Sequence, residues 1–539
     1  MQVAIFANKH HPVAVYSNEI AITSMHSVPP GPAVSPLGYE ALIARYELRC
    51  PPPRVSSKAS PRVRVVSRSV DANGFEEVLY PRSAYRPRTG VADHLEFALK
   101  NEPLDLSVLA ALFEQEAVGQ ELQAWLEASP SSRYARVAGH LYEWLTARTL
   151  DYRLPAGAAR VAVLDPAKYV VGPRRSNPRF GVFHNLIGSR AMSPLVRRTP
   201  AIAAFLAGDL KDRIAAAIAA IDPELLDRAV NYLYLAETQS SFAIEQEIPS
   251  HERRERFRRL LEQAGAPGPL SEESFVGWQQ EIIGEPLRQE SSYRIKQNWL
   301  SRGERRATVE YVPPAPRDTA ALMQGVADIA DQGASGQLEA VIAAACASFG
   351  MVFVHPFLDG NGRLHRFLLH HILRQCGVTP KSVVLPLSVA LQARLQNYAA
   401  VLQAYSRPRT ALLDYRLDPD TNAIHVRGFQ PAWLYAYFDA TPLCELVLQC
   451  IDQALNDHLP AELAWLQAYD VAMRGIDPWL DGEQSELDLL VRLIVQNNGH
   501  LSKSKRPRFE RFTDREIVRT EAIVRDAFAP WFERVGKRT

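Results

Sequence analysis

The amino-acid sequence predicts a mainly α protein, on three observations. Apolar residues recur at three- and four-residue spacing in HLEFALK, DLSVLAALFEQ, ARVAGHLYEWLTARTL and DPELLDRAVNYLYLAETQSSFAIEQE, the period of a helix with one buried face. Strand-like alternation is confined to short stretches, chiefly VRVVSRSV with FEEVLY, and YRIKQNWLSRGERRATVEYVPPAP. Proline clusters such as VPPGPAVSP and CPPPRVSSKASP break the pattern near the N-terminus.

The elements follow in chain order. Residues 1–90 read as irregular, with one hairpin in which DANG turns VRVVSRSV into FEEVLY. Residues 91–190 read as a helical domain opening at Asp93 as N-cap, followed by VGPRRSNPRFGVFHNLIGS as a linker or extended connection. Residues 191–408 begin with Thr199 as N-cap and Pro200 at the first helical position. The long amphipathic stretch after them ends before Pro249, and HERRERFRRLLEQAG follows as a helix with a charged face. A hairpin turning at SRGE interrupts the helices and ends in Pro-Pro. SGQLEAVIAAACASFGMVF then leads as an apolar helix into His355, RLHRFLLHHILRQCG is a helix closed by Gly377, and ARLQNYAAVLQAYS is another. Residues 409–539 read as a helical C-terminal domain, with a capping box at TDRE between Thr513 and Glu516.

Composition excludes some classes of function. The net charge of +1 supplies no whole-chain field to draw nucleic acid or a membrane surface. The basic run from Lys503 to Arg511 reads as a solvated loop before a capped helix. No apolar run reaches the length of about 18 residues that a membrane span needs, and the N-terminus lacks the basic and apolar regions of a Sec-type signal. Cys50, Cys346, Cys376, Cys444 and Cys450 are few and odd in number, which suits reduced thiols and a cytoplasmic location.

The stretch HPFLDGNGRLHR, His355 to Arg366, concentrates the chemistry. A helix starting near Asn361 offers free N–H groups and a positive dipole end, and Gly360 and Gly362 let an anion approach the backbone. Arg363 and Arg366 share a helix face and can bracket phosphates. Asp359 can hold Mg²⁺ against the same phosphates. His355, on the other side of the turn, can take a proton from a hydroxyl near neutral pH. Phe357 and Leu358 are read as anchors of the loop to the core. Together these parts suit attack by a protein hydroxyl on a nucleotide phosphate, with pyrophosphate leaving.

HPFLDGNGRLHR fills every fixed position of HxFx(D/E)GNGRxxR and so resembles the Fic (Fic/Doc) family. The resemblance implies a Fic-fold helical core with a β-hairpin flap, flanked by helical N- and C-terminal regions. It implies transfer of AMP from ATP, with Mg²⁺, to a Ser, Thr or Tyr hydroxyl of a target protein, self-modification included. It makes His355 the general base and Asp359 the metal ligand. It makes Gly360, Asn361, Gly362 and Arg363 the anion hole, and gives Arg366 the γ-phosphate. QNWLSRGERRATVEYVPPAP resembles the flap that aligns the target segment, which implies docking roles for Asn298, Trp299 and Leu300. Leu300-Ser301-Arg302 replaces the small glycine step of relatives that read QNWIGG. SSFAIEQE resembles the inhibitory helix (S/T)xxxE(G/N), with Ser241 and Glu245 in place and Gln246 where Gly or Asn is usual. Glu245 is thereby implied to pair with Arg366 and to block productive γ-phosphate binding, as in class II members. Tyr398 matches a common aromatic on the adenine side, and Tyr405 stands where some members carry Asn. The flanks GYEALIARYEL, HLEFALK, YEWLTARTL and LSKSKRPRFERFTDREI resemble those of long bacterial members. His365, His370 and His371 do not share one helix face and read as core or solvent residues, not a metal site.

The expected partners are a target protein with an acceptor hydroxyl and, as in many relatives, a second copy of the chain. Three other readings stay open at this point. The enzyme could run in reverse and remove AMP, with Glu245 positioning water. It could use another nucleotide donor. Or the chain could be a binding protein with an idle site.

Overall fold

The computed structural model describes residues 34–71, 75–85, 90–302, 308–380, 383–418 and 420–536. The turns DANG and SRGE fall largely on residues outside this set. The N-terminal part opens with β1 (Ser35–Pro36), α1 (Gly38–Tyr46), β2 (Val55–Ser60), β3 (Ser67–Val70) and β4 (Glu76–Pro81). The expected hairpin is present: β3 and β4 pair antiparallel, Ser67 opposite Leu79. The sheet is larger than expected. Val55–Ser60 joins β4 in parallel, giving the order β1-β2-β4-β3 over a small core of Leu37, Val55, Ala59, Val78 and Tyr80.

Four helices follow: α2 (Val91–Asn101), α3 (Leu106–Phe113), α4 (Glu116–Ala128) and α5 (Arg133–Thr146). Asp93 is not the cap of α2; Gly90 holds that position, and Asp93 lies in the first turn, where its charge still suits the dipole. The stretch read as a linker is folded. β5 (Val161–Ala162) and β6 (Tyr169–Val170) precede it, β7 (Arg175–Asn177) and β8 (Val182–His184) lie within it, β9 (Ser193–Arg197) follows it, and it buries Phe180, Leu186 and Ile187.

The central block contains α6 (Pro200–Ala207), α7 (Leu210–Ala219), α8 (Pro223–Ile244), α9 (His251–Glu262) and α10 (Glu272–Ile283). Thr199 caps α6 as expected, its side chain accepting from the Ile202 N–H. The hairpin β10 (Leu300–Arg302) and β11 (Thr308–Tyr311) pairs antiparallel, Leu300 opposite Tyr311. Then come α11 (Pro316–Ala334), α12 (Ala340–Val354), α13 (Asn361–Gln375), α14 (Leu387–Ala393) and α15 (Leu395–Thr410). Helix α12 is apolar all round because it is buried all round, from Val341 to Val354.

The last part is helical with one correction. DYRLDPDTNAIHVR forms a hairpin, β12 (Asp414–Leu417) with β13 (Ile424–Arg427). After it come α16 (Trp433–Ala436), β14 (Tyr437–Asp439), α17 (Thr441–Gln453), α18 (Leu459–Ile476), α19 (Gln484–Gln496) and α20 (Asp514–Gly536). Thr513 and Glu516 make the expected capping box. One continuous core runs from Tyr39 to Leu459, and a second, from Ala468 to Phe528, joins α18, α19 and α20. Arg506 and Arg511 of the basic run pair with Asp514 and Glu486. Among the described residues no helix is long and apolar enough to cross a membrane.

Candidate active site

Helix α12 ends at Val354, and His355 turns the chain in the left-handed region at φ 52°. Gly360 makes the next turn at φ 89° and caps α13. A residue with a side chain would be strained at that angle, which explains the glycine. Between them Phe357 is fully buried, whereas Leu358, read as a second anchor, is exposed. The loop is held by its own Asn361. That side chain accepts from the Phe357 N–H at 3.1 Å and donates to the Phe357 carbonyl at 2.8 Å. The side chain thus braces the loop, and the backbone N–H of Asn361 stays at the start of α13. Glu290 supports the loop from outside by accepting the Leu358 N–H at 2.8 Å.

His355 Nδ1 lies 3.3 Å from the Val352 carbonyl. A carbonyl only accepts, so Nδ1 carries the proton and Nε2 keeps its lone pair. Burial pushes this imidazole down to about 4, and the nearby Arg294 charge acts in the same direction. The ring is therefore neutral at physiological pH.

The start of α13 already holds a carboxylate. Glu245, at the end of α8, packs so closely over Gly362 that a Cβ there would collide with it. Its Oε1 accepts from Arg366 Nη1 at 2.8 Å. Ser241, one turn earlier on α8, accepts from the same guanidinium through its hydroxyl at 2.8 Å and its carbonyl at 2.7 Å. Ser241, Glu245 and Arg366 are thus brought together as expected, and all three are buried.

A second carboxylate from the same segment was not foreseen. Gln246 adopts φ 57°, and this turn aims Glu247 at Arg363, 3.2 Å away, with Arg253 clasping the same Oε2 at 2.8 Å. Left-handed backbone at a residue with a Cβ costs about 1–2 kcal/mol, so neighbouring contacts must hold it. The other face of Arg363 meets Asp359 at 3.1 Å, and Asp359 pairs also with Arg288. Sequence spacing could not reveal Glu247, Arg253 or Arg288, because their roles depend on that turn and on the fold of the Pro286–Arg288 segment.

Further along, the contacts between α8 and α13 continue as an antiparallel ladder. Glu237 pairs with His370 at 2.7 Å and accepts from Ser388 N–H, and the Tyr234 hydroxyl accepts from Arg374. His371 accepts from the Gly265 N–H, and His365 is buried against Phe349 and parallel to Tyr398. The three histidines are core residues, as expected.

The remaining candidates sit deeper than expected. Tyr398 is buried at 1% exposure beneath the site, near Arg366. Tyr405 stacks on Phe353 at 3.6 Å between ring centres and donates to the Tyr435 carbonyl, a packing role. In the flap, Asn298 donates to the Phe357 carbonyl at 3.2 Å, and buried Trp299 donates to the Asn422 carbonyl at 3.0 Å. Both anchor the flap inward, to the loop and to the β12–β13 hairpin. Leu300 begins the strand, and the β10–β11 sheet has two strands only, among the described residues.

A buried carboxylate rests where a phosphate oxygen would meet the helix start and two arginines, so the cradle is built for an anion. Among the described residues no group of three His, Cys, Asp or Glu could hold a metal alone. Asp359 has one carboxylate, held by Arg363 and Arg288, and it would suit a Mg²⁺ arriving with phosphates only by exchanging an arginine contact for the ion.

Comparison with known proteins agrees with the geometry. Residues 269–373 match the model of the Fic/DOC family. A relative described as protein adenylyltransferase Fic from Drosophila willistoni is 42% identical over 76 residues, 14% of this chain and 15% of that protein. Its counterpart from Drosophila grimshawi is 41% identical over 100 residues, 18% of this chain and 20% of that protein. The matched span is thus a fifth or less of these curated relatives. Among solved structures, a Fic family protein from Desulfovibrio desulfuricans G20 aligns with TM-score 0.34 and 17% identity, covering 62% of this chain and 87% of that one. Fic-1 from C. elegans aligns with TM-score 0.29 and 16% identity, covering 68% of this chain and 95% of that one. The segment that matches the Fic/DOC family model contains the signature loop and helices α11 and α12.

Proposed function

We propose that this protein transfers AMP from ATP to a Ser, Thr or Tyr hydroxyl of a target protein, and that Glu245 restrains it. The observation that carries the reading is the Glu245 carboxylate seated over Gly362 and bonded to Arg366, at the anion cradle beside a neutral His355. His355 Nε2 takes the proton of the acceptor hydroxyl. The hydroxyl oxygen forms its bond to the α-phosphorus, and the bond to pyrophosphate breaks. The N–H groups at the start of α13, with Arg363, stabilise the developing charge. Asp359 is the residue that would hold a Mg²⁺ arriving with the triphosphate, and that ion would supply neutralisation of phosphate charge. The flap presents the target segment by strand addition along β10.

Glu245 and the γ-phosphate compete for one guanidinium, and Glu247 adds a second competitor at Arg363. Self-modification, a homodimer and a reducing cytoplasmic setting belong to the same proposal; the five cysteines are all unpaired. The test is transfer from α-labelled ATP with Mg²⁺, to a lysate and to the protein alone. Wild type, Glu245→Gly, and Glu245→Gly with His355→Ala are compared. Labelling should rise in the single variant and vanish in the double. Hydrolysis of AMP–protein by wild type alone would instead establish the reverse reaction.

A further inference from the structure

Beyond its charge acting on His355, Arg294 has no assigned role above, yet it is placed where the flap and the catalytic turn meet. We propose that Arg294 is a positioning residue that locks His355 and the flap to each other as one unit. The side chain is buried, and its hydrogen bonds go to backbone carbonyls from three segments. Nε donates to the His355 carbonyl at 2.8 Å. Nη2 donates to the Pro314 carbonyl at 2.6 Å and the Val354 carbonyl at 3.4 Å. Nη1 donates to the Lys296 carbonyl at 3.2 Å. Its own N–H donates to the Pro356 carbonyl at 2.8 Å.

The geometry gives each bond a purpose. Val354 and His355 present unsatisfied carbonyls at the C-terminal end of α12, where a cation is favoured. His355 sits in the left-handed region, a conformation that persists only where neighbours over-determine it. Lys296 and Pro314 bracket the flap at its entry and exit. One rigid five-donor fork therefore fixes the base and the root of the strand that presents the acceptor. Misplacement by about 1 Å between two reacting groups lowers rates by roughly a hundredfold, so a fork that couples them has a use beyond packing. A lysine keeps the charge but offers one nitrogen, which cannot reach all four carbonyls.

The rate arm of the test rests on the proposed transferase reading; the exchange arm does not. Full-length Glu245→Gly protein is compared with the same protein carrying Arg294→Gln or Arg294→Lys. Amide exchange is followed by mass spectrometry at residues 296–302, 308–314 and 354–358. In Arg294→Gln, exchange should rise about tenfold or more at the flap and the turn together, with α5 and α17 unchanged. The kcat for AMP transfer should fall by roughly tenfold or more while Mg²⁺–ATP affinity stays within about threefold, and Arg294→Lys should recover part of the kcat. Exchange that rises throughout the chain, or at only one of the two sites, would overturn the proposal. So would a fall in ATP affinity that matches the fall in kcat. If Glu245→Gly protein transfers no AMP at all, the transferase reading fails, and the exchange pattern still decides on Arg294.

Discussion

The two flanks of the HPFLDGNGRLHR turn are built on opposite plans. On the α8 side, carboxylates meet the polar side chains of α13: Glu247 meets Arg363, Glu245 meets Arg366 and Glu237 meets His370. On the flap side, the contacts are to backbone carbonyls, made by Arg294, Asn298 and Trp299, and the far edge of the hairpin has no strand partner among the described residues. Buried charge pairs are high-stakes, because removing one partner leaves the other uncompensated. Backbone contacts fix geometry without choosing a side chain. The difference fits the proposed function, in which the nucleotide is regulated by charge and the target is accepted by shape.

Four substitutions or conditions sharpen that contrast. The largest effect belongs to the flap side. In a Glu245→Gly background, His355→Ala should lower AMP transfer by about 10²–10⁴-fold. Calorimetric Mg²⁺–ATP affinity should hold, since His355 lies outside the anion cradle. A parallel loss of affinity would merge the two flanks into one.

The next effect is acid sensitivity. Burial pushes His140, His184, His355 and His371 down to about 4 and His365 to about 3. The unfolded chain takes up these protons first as pH falls below about 6.5, so stability is complete above that value and is lost down to about pH 4. Each group contributes up to about 3 kcal/mol over that window. Unfolding midpoints measured from pH 7 to 4 should fall steeply, and less steeply in His365→Phe. An unchanged slope would mean that His365 titrates as in the unfolded chain.

Glu237→Ala comes third. It strips His370 and Ser388 of a buried partner and should destabilise the protein by about 2–4 kcal/mol in urea titrations. A loss below about 0.5 kcal/mol would show that the ladder between α8 and α13 is not energetically coupled. The smallest effect is Glu247→Gln. It should tighten Mg²⁺–ATP binding a few-fold, and the gain should be non-additive with Glu245→Gly because the two acids share one turn. No change would reduce Glu247 to a structural partner of Arg253.

The sequence made one flank far more legible than the other. Arg363 and Arg366 were readable from a twelve-residue motif, and Ser241 and Glu245 from the resemblance of SSFAIEQE to the inhibitory helix. Glu247 was not, because its aim depends on a left-handed turn at Gln246 that no local preference announces. The flap itself was visible as alternation ending in Pro-Pro. Its inward anchor was not visible, since Trp299 finds the Asn422 carbonyl more than a hundred residues later. The β12–β13 hairpin carried a signal that passed unused: Tyr415 and Leu417 alternate before DPDTN, and Ile424 and Val426 after it. The parallel pairing of β2 with β4 left no such trace, because VSSKAS is mostly small and polar.

The central claim is that a carboxylate and the γ-phosphate contend for Arg366. Its most direct test is calorimetric binding of Mg²⁺–ATP and of AMP to wild type and to Glu245→Gly. The account predicts that the variant binds ATP at least about tenfold more tightly, while its affinity for AMP, which has no γ-phosphate, is unchanged. Equal gains for both nucleotides, or none for ATP, would contradict it.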